Sequence, residues 1–175
     1  MRRKKAIFFD RDGTLIETLF SKKRKIPVAI RDIKDFKIIK GCKKVIEKLS
    51  KKYLIIVITN QPDVSRGKNT KNNVVKINSK LMDCLKIDNI YTSYSSDDKN
   101  YMRKPNPGMI KFAKKKYHLN LKKSFVVGDT HKDIMAGKKA NCKTILLKKI
   151  YNKNQILRPD YTIKNLKELI NIIKV

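Results

Sequence analysis

Acidic residues are scarce in this sequence: 15 Asp and Glu stand against 44 Lys and Arg, a formal charge of +29 over 175 residues. Cysteine is scarcer, and Cys42, Cys84 and Cys142 are odd in number, far apart and unclustered. That argues against a disulfide framework and suits a reducing compartment. No apolar run approaches the ~20 residues that span a bilayer as a helix. The basic start "MRRKK" leads into only four apolar residues before Asp10, too few for the apolar region of a signal peptide. Internal repeats and Gly/Ser-rich linkers are also missing. The expectation is one cytoplasmic domain over residues 1–175, monomeric and without a membrane partner.

The excess of positive charge has two readings. It would attract nucleic acid, anionic lipid or phosphorylated molecules. Alternatively it is compositional, and the counts favour this: 36 Lys but 8 Arg, with 23 Ile and 14 Asn, spread over the whole length. Arg, the better fork for phosphate and base edges, is not enriched. Nucleic acid is therefore a partner the charge allows but does not favour.

Apolar β-rich runs alternate with amphipathic helical patterns, the signature of a doubly wound α/β fold with a parallel sheet. "KAIFF" (5–9), "YLIIVIT" (53–59), "NIYTSY" (89–94), "SFVVG" (124–128) and "KTILL" (143–147) read as strands, with a short sixth near "DYTI". Residues 41–52, 70–86, 106–119, 131–140 and 163–175 read as helices. Residues 15–40 lack a clear period and read as a small excursion after the first strand. In open parallel sheets, ligands bind outside the carboxyl ends of the strands. The polar residues just after each strand should therefore converge. These are Asp10 and Asp12, then Thr59, Asn60 and Gln61, then Arg103 and Lys104, and finally Gly128, Asp129 and Asp133.

Asp10 and Asp12 lie in Asp-x-Asp-Gly-Thr, a pattern that arises by chance in about two chains per thousand of this size. Asx capping explains Asp12-Gly13 but not Asp10. Two close carboxylates are tolerable with a hard cation between them, for which Mg²⁺ is the natural candidate. Asp10, ionised and metal-bound, could then attack phosphorus, while Asp12 moves protons to the leaving oxygen and from water. This division needs a low carboxyl pKa at Asp10 and a raised one at Asp12. Thr59 or Asn60 can hydrogen-bond a phosphate oxygen, and Lys104 can neutralise the transferring group and pair with Asp10. Asp129 would be a second metal ligand, with Asp133 either a further ligand or a residue that orients the others.

"DRDGT", "TNQPDVSRG", "RKPNPGM" and "VGDTHKD" resemble the four motifs of the haloacid dehalogenase superfamily, spread over most of the chain. Within its subfamily IIIA, "TNQ…RG" and "RKPxPGM" resemble the histidinol-phosphatase and D-glycero-D-manno-heptose-1,7-bisphosphate 7-phosphatase group. The resemblance implies a capless three-layer α/β/α phosphatase requiring Mg²⁺. Asp10 would be its nucleophile and Asp12 its acid/base, with metal on Asp10, Asp129 and the backbone carbonyl of Asp12. Substrate specificity in that group comes from loops after the first three strands, which here include residues 15–40, Arg66 and Arg103.

Two departures bear on the substrate. The resemblance implies a Cys/His zinc loop before the Arg-Lys-Pro motif, but the matching stretch "TSYSSDDKNYMRKP" has Ser93, Asn100 and Met102 where Cys is expected. His118 and His131 lie elsewhere, so no zinc is expected and the short loop 94–103 must be held by packing and hydrogen bonds. Thr130 stands where the heptose enzymes often carry Lys. The leading expectation is hydrolysis of a small sugar phosphate, the heptose 1,7-bisphosphate at its 7-position. The alternatives are a polynucleotide 3′-phosphatase, a family also similar at "TNQ…RGK" and "RKP", and a histidinol-phosphatase. Retention of Asp10, Asp12, Lys104 and Asp129 argues against a non-catalytic binding module.

Overall fold

Ala6–Phe9 (β1) is apolar at every position because both of its faces are covered. Ile7 and Phe9 enter one hydrophobic cluster, while Ala6 and Phe8 enter the other, as the two-residue period of a strand requires. The structure, a computed structural model, describes residues 4–21, 26–153 and 158–173.

Among the described residues seven further strands follow: β2 (Leu19–Ser21), β3 (Ile26–Val28), β4 (Leu54–Asn60), β5 (Asn89–Ser93), β6 (Phe125–Gly128), β7 (Lys143–Leu147) and β8 (Tyr161–Ile163). The α-helices among these residues are α1 (Cys42–Leu49), α2 (Lys71–Cys84), α3 (Gly108–Tyr117), α4 (His131–Lys139) and α5 (Leu169–Ile173). Six strands form one parallel sheet in the order β5-β4-β1-β6-β7-β8. The chain starts at the centre, winds outward through β4 and β5, and returns to the other side through β6, β7 and β8. The switch point in strand order therefore falls beside β1.

Helices α1, α2 and α5 pack on the face that carries Ile7, Phe9, Ile55 and Val57. Helices α3 and α4 pack on the face that carries Phe8, Ile56, Ile58 and Val126. The result is a three-layer α/β/α fold. Gly137 lets α4 lie close, since a Cβ there would stand 2.6 Å from the Thr144 methyl group.

Residues 15–40 contain the antiparallel pair β2–β3, with Leu19 opposite Val28, and a 3-10 turn at Ile33–Asp35. A bridge from Ile16 to Ile38 and the buried Ile30 tie this excursion to the body. Strands of three residues are too short to show a period, which is why the sequence reads as irregular there. The helix expected over 163–175 starts later. Ile163 pairs with Leu147 in the sheet, Leu166–Glu168 form a 3-10 turn, and only then does α5 begin. Asn165 caps that turn and accepts from Lys167 N, a local bond that delays the α-helical register. Residues 174 and 175 lie outside the described ones. Among the described residues no helix is long and apolar enough to cross a membrane.

Candidate active site

The carboxyl edge of the sheet gathers most of the polar residues expected to converge. Asp10 follows β1, Asp129 follows β6 and Asp133 sits in the first turn of α4. One carboxylate oxygen from each lies within 4.8 Å of the others. Lys104, between β5 and α3, sends its ammonium into this group. Nζ donates to Asp10 Oδ1 at 2.5 Å, to Asp133 Oδ1 at 2.6 Å and to the Ile58 carbonyl at 2.8 Å. Asn60 holds the lysine in place through both atoms of its amide. Nδ2 donates to the Lys104 carbonyl at 2.9 Å, and Oδ1 accepts from the Lys104 N–H at 3.1 Å. Asn60 is thus committed to the lysine backbone, while the Thr59 hydroxyl accepts from Gln61 Nε2 at 2.9 Å.

Asp12 turns a different way. Its carboxylate accepts from Gln61 Nε2 at 2.7 Å and from Arg11 Nε at 3.0 Å, and is not one of the three clustered acids. Arg11 is fully buried and anchored to Asn78 Oδ1 at 2.8 Å. A hydrogen-bonded line from α2 therefore fixes the Asp12 side chain apart from Asp10.

Burial dominates the electrostatics of the cluster. It pushes the Asp10 carboxyl well above the usual range against the pull of Lys104, and Asp133, Asp129 and Asp12 push the same way. Asp129 is raised to about 6, chiefly by burial and then by Asp133. The low value expected from the sequence is that of Asp10 with a cation bound, whereas the side chains alone push it up. One ammonium among buried acids does not offset their desolvation and mutual repulsion.

Residues 5–158 match the model of the polynucleotide kinase 3 phosphatase family. The chain is also 31% identical over 181 residues to a D-glycero-beta-D-manno-heptose-1,7-bisphosphate 7-phosphatase of Helicobacter pylori, covering 97% of each protein. The chain belongs to this phosphatase family. A second relative of this phosphatase is the D-glycero-alpha-D-manno-heptose-1,7-bisphosphate 7-phosphatase of Campylobacter jejuni, 30% identical over 97% of this chain and 96% of its own. The fold matches the crystal structure of the D,D-heptose 1,7-bisphosphate phosphatase from B. bronchiseptica complexed with magnesium and phosphate. That likeness has a TM-score of 0.80 at 22% identity over 97% of this chain and 98% of the other.

The donors of the phosphatase site suit a magnesium ion. They are carboxylate oxygens, buried and with more negative charge than Lys104 alone balances, which is the hard-oxygen environment that Mg²⁺ takes. Depth alone does not mark the site. The hollow of about 830 Å³ lined by Lys4, Lys5, Lys52 and Lys123 lies at the opposite, amino-terminal edge of the sheet.

Of the residues expected to set specificity, Arg66 and Arg103 stay outside the cluster. Arg66 is half exposed and pairs with Asp63 at 3.8 Å. Arg103 is buried, donating from Nε to Asp98 Oδ1 at 2.8 Å and from Nη1 to the Ser95 carbonyl at 2.9 Å. These bonds belong to the network that organises the loop lacking Cys and His. Asn106 Nδ2 donates to the carbonyls of Asp98 and Asn100 at 2.8 and 3.0 Å, and Asn100 Oδ1 accepts from Met102 N at 3.0 Å. Lys132 on α4 closes it by donating to Asp98 Oδ1 at 2.7 Å. Thr130 is committed to α4, its N–H and hydroxyl both donating to Asp133 Oδ2, at 3.0 and 2.6 Å.

Tyr151 and Asn152, which follow β7, escaped the sequence reading although both contact Asp129. The rule that polar residues collect after each strand would have found them, had it been applied to "KTILL" as to the first four strands.

Proposed function

We propose that this phosphatase hydrolyses the phosphomonoester of a small sugar phosphate with Mg²⁺, through a phosphoryl group carried on Asp10. The observation that carries the reading is Lys104 standing between Asp10 and Asp133 beside Asp129, gathered at the carboxyl edge of the sheet. Asp10, Asp129 and the main-chain carbonyl of Asp12 would hold the ion, which when bound neutralises phosphate charge and keeps Asp10 ionised. Asp133 takes the orienting alternative, since both of its oxygens already accept from Lys104 and Thr130.

An Asp10 carboxylate oxygen attacks phosphorus as the bond to the leaving oxygen breaks, and Asp12 gives that oxygen its proton. The Asp12 carboxylate then takes a proton from water, which attacks the same phosphorus and releases phosphate and Asp10. Gln61 and Arg11 aim Asp12, holding its carboxylate apart from the three clustered acids. Lys104 and the Thr59 hydroxyl face the transferring group.

The names of the relatives favour D-glycero-D-manno-heptose 1,7-bisphosphate as substrate, cleaved at its 7-phosphate. A second reading, a polynucleotide 3′-phosphatase, is favoured by the name of the matching family and by the +29 charge. Phosphate release from the heptose bisphosphate, histidinol phosphate and a 3′-phosphorylated oligonucleotide, assayed side by side, separates them. Turnover should be Mg²⁺-dependent, highest on the heptose bisphosphate, and abolished in Asp10→Asn and Asp12→Asn. Preference for the oligonucleotide, lost steeply with added salt, would overturn the substrate assignment. Near wild-type turnover in either variant would overturn the mechanism.

A further inference from the structure

The turn after β7 belongs to none of the four motifs, yet it grips Asp129 at two points. The Tyr151 hydroxyl donates to Asp129 Oδ2. The next residue, Asn152, donates from Nδ2 to the Asp129 carbonyl at 2.8 Å and to the Leu147 carbonyl at 2.9 Å. Asn152 Oδ1 accepts from Lys149 N at 2.9 Å, so this buried amide closes its own turn while bridging the ends of β6 and β7. On the other oxygen of Asp129, Thr14 Oγ1 donates to Oδ1 at 3.4 Å. The carboxylate is held from both sides.

The approach of Tyr151 depends on Gly13. A Cβ at that position would stand 2.3 Å from Asp129 Oδ2 and 2.8 Å from the Tyr151 hydroxyl, and its φ of +85° is one that glycine adopts freely. The glycine of the Asp-x-Asp-Gly-Thr loop thus makes room for the acid and for the phenol that touches it.

We propose that Tyr151 is a positioning residue for Asp129, fixing which way the carboxylate presents its oxygens to a divalent cation, with Asn152 anchoring the turn that delivers it. The inference rests on the reading of Asp129 as a metal ligand. A donor on a carboxylate orients it and costs a ligand little, and losing such an outer partner typically weakens metal binding about 10- to 100-fold. The hydroxyl is not asked to touch substrate or to move a proton.

The test uses the full chain with Mg²⁺ alone, and Tyr151→Phe, which keeps the ring and removes only the hydroxyl. The sequence contains no Trp and 7 Tyr, so tyrosine emission is observable without a tryptophan background. Mg²⁺ titrated calorimetrically into wild type should bind and change tyrosine emission. Tyr151→Phe should fold with an unchanged circular dichroism spectrum, bind Mg²⁺ about 10-fold more weakly, and lose most of the emission change. Its turnover should recover as Mg²⁺ is raised. Tyr161→Phe, altering a side chain of β8 that is 37% exposed, should behave as wild type. Unchanged or tighter Mg²⁺ binding by Tyr151→Phe would overturn the proposal, tighter binding meaning that the hydroxyl obstructs the ion. Failure of wild type itself to bind Mg²⁺ would overturn the underlying metal reading instead.

Discussion

Lys104 Nζ stands 2.5 Å from Asp10 Oδ1, an ion pair almost wholly removed from solvent. Burial alone would lower the pKa of the ammonium, but the charges of Asp10 and Asp133 outweigh it and raise it. The lysine therefore stays charged and offsets part, but not all, of the cost of burying Asp10 and Asp133.

Replacing Lys104 by Met keeps the stem and removes the charge, leaving Asp10 and Asp133 buried without their partner. Breaking such a pair from one side costs about 3–5 kcal/mol. Urea denaturation near neutral pH with chelator present should register a loss of this order, and phosphate release should fall by about 10²–10³-fold. A variant with wild-type stability and turnover would contradict the role of the pair.

Asp98 joins Arg103 in the loop to Lys132 on α4, and these two hydrogen bonds hold its carboxyl down at about 2. Asp98→Asn should leave global stability nearly unchanged, because the carboxylate is exposed, but should speed amide exchange across residues 94–107. The depressed value sets the sign: protection is present above the unfolded carboxyl pKa and is lost as pH falls through about 2. The difference between wild type and variant should stay flat from neutral to mildly acidic pH. Equal exchange in both proteins at neutral pH would remove the clamp from consideration.

The sheet and the acids at its edge were legible because each rests on a local signal. Continuous apolar runs mark strands covered on both faces, and Asp10 and Asp129 each follow such a run, while Lys104 is marked by its place before Pro105 in the Arg-Lys-Pro motif. What escaped depends on contacts between distant segments. Nothing near Asn60 reveals that its amide will be spent on the Lys104 backbone, 44 residues away. Nor does "KKIYNKN" reveal that Tyr151 will close over Gly13. The raised pKa of Asp10 is likewise a property of the assembled cluster, in which burial outweighs its one ammonium.

Cys42 and Cys142 are buried in opposite layers, and burial pushes both thiols up to about 12. At pH ~8 about one in 10⁴ of each would be thiolate, the reactive form. Cys84 is partly exposed near the end of α2. An aromatic disulfide reagent should therefore modify Cys84 rapidly in the native protein and reach the other two only on unfolding. Peptide mapping that finds Cys42 or Cys142 labelled first would mean that the packing around them opens readily.

Asp129 carries the most direct pH prediction for metal binding. Burial raises its carboxyl to about 6, against roughly 3.9 in an unfolded chain. Between these values the folded protein binds the extra proton, so this group's contribution to metal-free stability falls as pH rises through about 6. A divalent cation held by Asp129 must displace that proton, and binding should weaken by up to about tenfold for each pH unit below 6. Thermal melts with and without Mg²⁺ provide the measurement. The Mg²⁺-induced rise in Tm should be large at pH ~8, much smaller at pH ~5, and absent at both in Asp129→Asn. A shift of equal size at the two pH values would show that the ion does not compete with a proton on this carboxylate. The same shift in Asp129→Asn would place the ion elsewhere.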